Sequence, residues 1–399
     1  MSATNNVEFD PFKVDADIPH DAHRALRDTC PVAQIPVGWF LSRHSDVVIG
    51  VKDVDTFRSS YREPGVIVPE EELLVSEMPE PRHGKVRRII NAVVAHHKAM
   101  RLEPFVRELS YEYLEPILAC GHGEMVEDFA APIPINVISH MIGVPRADWP
   151  LFRGWSDDVV RSEYVNKNRT EQGEGFGGGH PEFAAYVDDL IRVRRTHDDR
   201  PDDLVTRLLY TEIDDHRLTD IEVRTQLISL ILGGNETTRH LIANLLARIV
   251  TRPALFDALK ADPSLIAKAV EESLRFDPPI HQMIRTIETS TDVFGEAMCP
   301  GEKIVFGVAS ANRDDEVFAD SDEFRLDRPN GREHLAFGDG AHICPGQAIA
   351  RLEARVALEV FCQRVHHAYP EPGWVYEKVP VFWANGPKTL PLRLVAEYQ

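Results

Sequence analysis

Cysteine is scarce in this chain: five residues in 399, Cys30, Cys120, Cys299, Cys344 and Cys362, odd in number and widely scattered. That pattern excludes a disulfide framework and CxxC zinc spacing, and it fits a reducing compartment. Long apolar runs are also missing. No stretch reaches the ~18 uninterrupted apolar residues of a membrane span. Met1 to Asp10 is polar and acidic, with no basic region leading into an apolar one. No membrane partner and a cytoplasmic location are therefore expected. Basic charge is short as well, 44 Lys and Arg against 64 Asp and Glu, for a net -20. Such an excess argues against nucleic acid or an anionic membrane surface as a general partner. There is no internal repeat, and no Ser/Gly/Pro linker clearly separates domains.

What is present is enough for a sizeable core: 43% of the chain is hydrophobic, and length alone suggests two or three domains. Residues 31–60 contain short β-like runs, Trp39-Phe40-Leu41 and Val47-Val48-Ile49. From about 85 to 275 the apolar spacing is mainly helical, as in Val106, Leu109, Tyr113, Leu114 and Leu118. After about 278 it turns β-like and irregular until the segment that follows Cys344. The expected fold class is mainly α with small β-sheets.

Three stretches carry chemistry. In residues 334–347, HLAFGDGAHICPGQ, Cys344 precedes a helix and follows a loop whose Gly338 and Gly340 can take angles closed to other residues. Converging N–H groups and a helix dipole are expected to lower the thiol pKa, which suits a nucleophile or a metal ligand. A structural cysteine beside a glycine turn is the plainer reading. In the second stretch, Thr219-Asp-Ile-Glu222 forms a capping box, and helical residues then run to Arg252, giving about 33 residues and roughly 50 Å. Near its middle lies Gly233-Gly234-Asn235-Glu236-Thr237-Thr238, two adjacent glycines costing about 1 kcal/mol each. Either a helix packs closely over them or a ligand lies against the backbone, with the Thr237 hydroxyl turned to the Gly233 carbonyl. In the third stretch, His83 and Arg87 sit one helical turn apart after a Pro-broken turn, a spacing that also suits a solvated basic face. A literal GxGxxG at Gly173, Gly175 and Gly178 follows no strand and reads as a connection.

The spacing Phe337-Gly338-x-Gly340-x-His342-x-Cys344-x-Gly346 resembles the haem-ligand loop of the cytochromes P450. The resemblance covers nearly the whole chain and implies a single domain over 1–399, an α-rich triangular prism with β-rich portions at 31–60, 278–330 and 375–397. It implies haem b, iron protoporphyrin IX, with Cys344 as axial ligand and Phe337 and Gly338 in the ligand loop. His83, Arg87, Arg285 and His342 would bind the haem. Gly233 to Thr238 resembles the acid-alcohol pair of the family, so Thr237 would orient dioxygen and Glu236 would gate protons. Glu272, Arg275 and Arg328 would form a buried frame behind the Cys344 loop. Ser229, Leu232, Gly233, His281, Met283 and Trp383 would line the substrate pocket, with residues 59–77 as a variable loop above it.

The function implied is a haem-thiolate monooxygenase using O2 to hydroxylate an apolar small molecule. The GGNETTRH stretch is similar to that of actinobacterial members acting on steroids, terpenoids and branched lipids. Electrons would come from a ferredoxin and its reductase, docked on Lys85, Arg88, Lys98, Arg101, Arg351 and Arg355. A peroxide-using haem-thiolate enzyme and a non-catalytic haem sensor are the alternatives. Pro345 departs from the amide-bearing residue common after the ligand and removes one N–H that could reach the sulfur.

Overall fold

In the computed structural model, residues 10–13, 17–59, 68–95, 99–161, 180–196 and 200–397 are described. Gly173, Gly175, Gly178 and Lys98 lie outside them. In chain order, α1 (His20–Thr29) leads into an antiparallel pair, β1 (Val32–Ile35) and β2 (Gly38–Leu41), followed by α2 (His44–Lys52) and β3 (Phe57–Arg58). The helical body contains α3 (Arg82–Val93), α4 (Glu103–Cys120), β4 (His122–Glu124), α5 (Pro132–Ile142), α6 (Trp149–Arg161), α7 (Pro181–Thr196) and α8 (Leu204–Tyr210). The long α9 (Asp220–Val250) comes next, then α10 (Pro253–Ala261) and α11 (Ile266–Phe276). Strands β5 (Met283–Ile287) and β6 (Lys303–Phe306) precede α12 (Val308–Ala311) and α13 (Gln347–Arg364). The chain closes on β7 (Val365–Pro370) and β8 (Pro391–Ala396).

Two small sheets flank the helices. One has the order β1-β2-β6-β5-β3, with β2 and β6 parallel and Phe40 opposite Val305; the other has the order β4-β8-β7. The largest apolar cluster joins α3 to α6, α9, α11 and α13, while two smaller ones lie against the five-stranded sheet. Helix α9 runs through the large cluster. It starts where expected: Thr219 Oγ1 accepts from the Glu222 N–H at 3.2 Å, and Glu222 accepts from the Thr219 N–H at 2.8 Å. Its 31 residues make it about 46 Å long.

The β-like reading of Val47-Val48-Ile49 is overturned, because these residues lie in α2. Val47 and Val51, four apart, are buried, whereas Ile49 is exposed, so the burial period is helical despite three consecutive β-branched side chains. Strand β4 interrupts the span expected to be helical, and β7 follows directly on α13 before residue 375. Both pair with β8, a partner distant in sequence from β4, so local spacing could not reveal the first of them.

Candidate active site

Cys344 sits where a tight loop turns into α13. Gly338 and Gly340 have φ of 69° and 67°, the left-handed region that only glycine enters without strain. The Cys344 N–H donates to Phe337 O at 2.9 Å and Gly338 N–H to Leu335 O at 2.9 Å, closing the turn. Burial pushes the thiol up, and the N–H groups of Gly346 and Gln347, with Arg87 and Arg351, oppose it without prevailing. The expected lowering is therefore reversed. Desolvation of the sulfur outweighs the donors and cations around it.

Above the thiol runs the broken stretch of α9. A Cβ added at Gly233 or Gly234 would meet nothing within 4 Å, so close helix packing does not explain these glycines. Both border a cavity of about 240 Å³ that Cys344, Pro345 and Gly346 border from below. Thr237 Oγ1 donates to the Gly233 carbonyl at 2.7 Å, the bond expected from spacing, while Thr238 borders the cavity itself. Glu236 is buried and turned towards Arg239, which reaches Asp157 at 3.2 Å, and towards His240, whose Nε2 lies 2.9 Å from its Oε1. Burial raises this carboxyl, yet His240 and Arg239 override it and hold it at about 2. A Cβ at Gly386 would lie 2.2 Å from His240 Nδ1, so glycine is required beside that ring.

Cations gather at the edge. His83 and Arg87 are buried on one face of α3, against the solvated alternative. The His83 ring packs against that of His342, tilted by 59° with centroids 4.5 Å apart, and bonds Glu80 through Nδ1 at 2.8 Å; Arg87 donates to Ile343 O. Arg285, on β5, is pulled down to about 10 by burial, and it donates only to the neighbouring Ile284 carbonyl among the described contacts. Burial and the charges of His83, Arg285 and Arg87 hold His342 at about 4. No carboxylate pairs with Arg87, Arg285 or His342 among the described residues.

Behind the loop, Arg275 is fully buried and forks onto Glu272 at 2.9 and 2.7 Å, and Arg328 reaches the same carboxylate at 3.2 Å. Arg275 also donates to Asn312 O, and the Asn312 side chain accepts from Leu335 N–H at 2.7 Å, at the mouth of the ligand loop. The frame is thus linked to the loop. Arg351 stacks on Phe337 at 4.5 Å.

The pocket residues divide. Ser229 and Gly233 border the cavity, whereas Leu232, Met283 and Trp383 are not among its described lining. Met283 packs against the cluster under the five-stranded sheet. His281 is displaced: it borders a separate pocket with Pro11, Ile18 and His23, because its backbone bonds Trp383 O and turns the ring towards α1. Among the polar cavity residues, two escaped the sequence reading, Gln226 and Glu353. Glu353 is buried and pushed well above the usual carboxyl range by desolvation; its trace in the sequence is an acid in the stripe Gly346, Ile349, Ala350, Glu353. Three of the expected docking cations are already neutralised, the first of them Arg88, which is held by Asp214. Arg351 holds Glu271 at 2.7 and 3.1 Å, and Arg355 holds Glu103 and Glu359 at 2.6 Å each.

A helical body with two marginal sheets, one cysteine loop and a side-chain-free stretch of a long buried helix above it define a class of helix-rich proteins with a single-thiol pocket. Comparison narrows the class. The family described as Cytochrome P450 matches residues 180–373. The chain is 33% identical over 351 residues to the steroid C26-monooxygenase of Mycobacterium tuberculosis, covering 86% of this chain and 85% of that protein. Among solved structures it resembles cytochrome P450 CYP109Q5 from Chondromyces apiculatus, with a TM-score of 0.85, 30% identity, and 97% and 98% of the two chains covered. CYP109E1 from Bacillus megaterium in complex with testosterone gives a TM-score of 0.83 at 27% identity, over 94% and 99%. The chain belongs to the cytochrome P450 family and is a monooxygenase of that family.

Proposed function

We propose that this enzyme is a haem-thiolate monooxygenase that uses dioxygen to hydroxylate an uncharged, apolar small molecule of steroid, terpenoid or lipid-like kind. The observation that carries the reading is the cavity, with a thiol for a floor, a bare backbone for a roof and unneutralised cations at one edge. The residues present fit haem b. The half-buried Cys344 thiol, pushed up by desolvation, would become a stable thiolate on binding a metal ion, since coordination deprotonates it outright. His83 Nε2 and His342 Nδ1 are buried without partners, and Arg87 and Arg285 lack carboxylates, so together they offer charge-assisted bonds to the propionates. When bound, haem supplies the redox chemistry that activates dioxygen.

The chain's own residues do the rest. Cys344 would hold the metal through Sγ. Glu236, ionised and tied to Arg239 and His240, takes protons from the outer side of α9, and Thr237 Oγ1, bonded to the carbonyl of the cavity-bordering Gly233, passes them on. Ile90, Val137, Ile138, Met141 and Leu230 give the cavity an apolar boundary, with Ser76, Gln226, Ser229 and Thr238 among its neutral polar points. That composition favours a substrate with few polar groups. The name of the mycobacterial steroid relative supports the same class.

Electrons come from a ferredoxin-type partner. With Arg88, Arg351 and Arg355 held by acids, the docking face among the described residues reduces to Lys85 and Arg101. Turnover with a ferredoxin should fall with rising salt, and a flat response removes the electrostatic docking.

The decisive experiment is the carbon monoxide difference spectrum of the reduced protein. The long-wavelength Soret band that names the family is expected, and its absence overturns thiolate ligation. Screening a compound library for the low-spin to high-spin shift then identifies the substrate.

A further inference from the structure

We propose that Gln226 is a specificity-determining residue, which fixes the cavity wall by welding the strap of residues 73–76 onto α9. This rests on the cavity being the haem and substrate site. Gln226 is 1% exposed and lies between the capping box and the glycine pair. Its amide makes a two-point contact with the strap backbone: Nε2 donates to Leu73 O at 2.9 Å, and Oε1 accepts from Val75 N–H at 3.0 Å. A side-chain amide thereby imitates the alternating donor and acceptor of a neighbouring strand.

The weld has direct consequences for the site. Val75, itself bonded to Gln226, and Ser76 after it border the cavity together with Ser229 and Leu230. One turn earlier on α9, Glu222 accepts from Arg82 at 2.7 Å, and Arg82 also holds Glu70 at 2.8 Å. Within the strap, Glu77 accepts from the Leu74 N–H at 3.2 Å. Residues 70–77 are thus attached to α3 and α9 at several points, and Gln226 alone among the described side-chain contacts bonds the backbone on both sides of Leu74. Removing its amide leaves two backbone groups unpartnered beside the cavity, so the strap must shift to find others. The shift moves Val75 and Ser76, and with them the wall that a substrate meets.

The test uses the haem-loaded full chain and a series of 1-alkylimidazoles, from methyl to dodecyl. Every member binds iron through the same nitrogen, so only the tail samples the wall. In the parent enzyme, affinity rises with chain length to an optimum. Gln226→Leu should bind the methyl compound within about twofold of the parent and lose roughly tenfold for the best long tail. The optimum length should also move. Gln226→Glu keeps the acceptor for Val75 and loses the donor to Leu73; it should fall between the two, and it carries the comparison if the leucine variant fails to take up haem. An unchanged chain-length profile in both variants overturns the inference. A parent that shows no thiolate carbon monoxide band instead overturns the reading of the site beneath it.

Discussion

At the residue scale, the ligand loop turns on which N–H groups reach sulfur. Gly346 and Gln347 donate to Cys344, and Pro345 between them and the ligand has no N–H to give. As a metal ligand, the Cys344 thiolate would therefore keep more electron density than it would with one donor more. Pro345→Leu should raise the reduction potential of the haem-loaded protein by tens of millivolts, about what one hydrogen bond is worth in a one-electron couple. Spectroelectrochemistry under matched ligation checks this, and an unchanged or lower potential removes the account. Glu236 allows a second prediction. Glu236→Gln abolishes the charge but keeps the shape, so ligand spin-shift affinity should hold within about twofold while the product rate falls on the order of 100-fold. Equal losses in binding and rate would show that the carboxylate only supports the fold.

At the scale of the element, α9 shows how one helix serves both stability and chemistry. Its ends follow helix rules: a capping box opens it and Pro253 follows its close. Its middle breaks them, with two glycines that nothing packs over. Since a methyl at Gly233 would clash with nothing, Gly233→Ala should stabilise the protein by up to about 1 kcal/mol through helix propensity alone. The same methyl enters the cavity, so long-chain ligands should bind less tightly. Thermal unfolding and ligand titration measure the two effects, and a variant that loses stability would mean that the open space at Gly233 is otherwise filled. The glycine pair was legible in the sequence as a breach of propensity, but its cause was not. Only the position of α9 over Cys344, set by packing against α5 and α13, separates ligand space from helix packing. In α2 the opposite happened: tertiary burial of Val47 and Val51 overrode a strand-like run.

On the scale of the whole molecule, stability should depend on acid in two stages. His20 and His281 are held at about 3 by burial and by neighbouring cations, Arg313 and Arg27 for His20 and Lys378 for His281, against an ordinary 6.5. They stay neutral in the fold while the unfolded chain binds protons, so their contribution is complete above pH 6.5 and is lost as pH falls towards 3. Glu236 and Glu271 are raised by burial but brought to about 2 by their cationic partners, and their contribution is lost between pH 4.5 and 2. The denaturant midpoint should therefore begin to fall below about pH 6.5 and steepen below about 4.5. His281→Gln should flatten the first limb, and a midpoint that is level from pH 7 to 5 contradicts it.

The sequence by itself determined the local features: the loop glycines at left-handed angles, the capped long helix, the Thr237 bond to its own backbone, and the Glu272–Arg275 pair three residues apart. Each depends on neighbours within about one turn, whose geometry the chain dictates. Tertiary structure alone decided whatever depends on distant partners. It decided that His281 turns away from the cavity, that Arg351 and Arg355 are held by acids, and that desolvation outweighs the donors around Cys344. It also placed Gln226 against a strap 151 and 153 residues away. Burial and long-range pairing are properties of packing, and no local spacing encodes them.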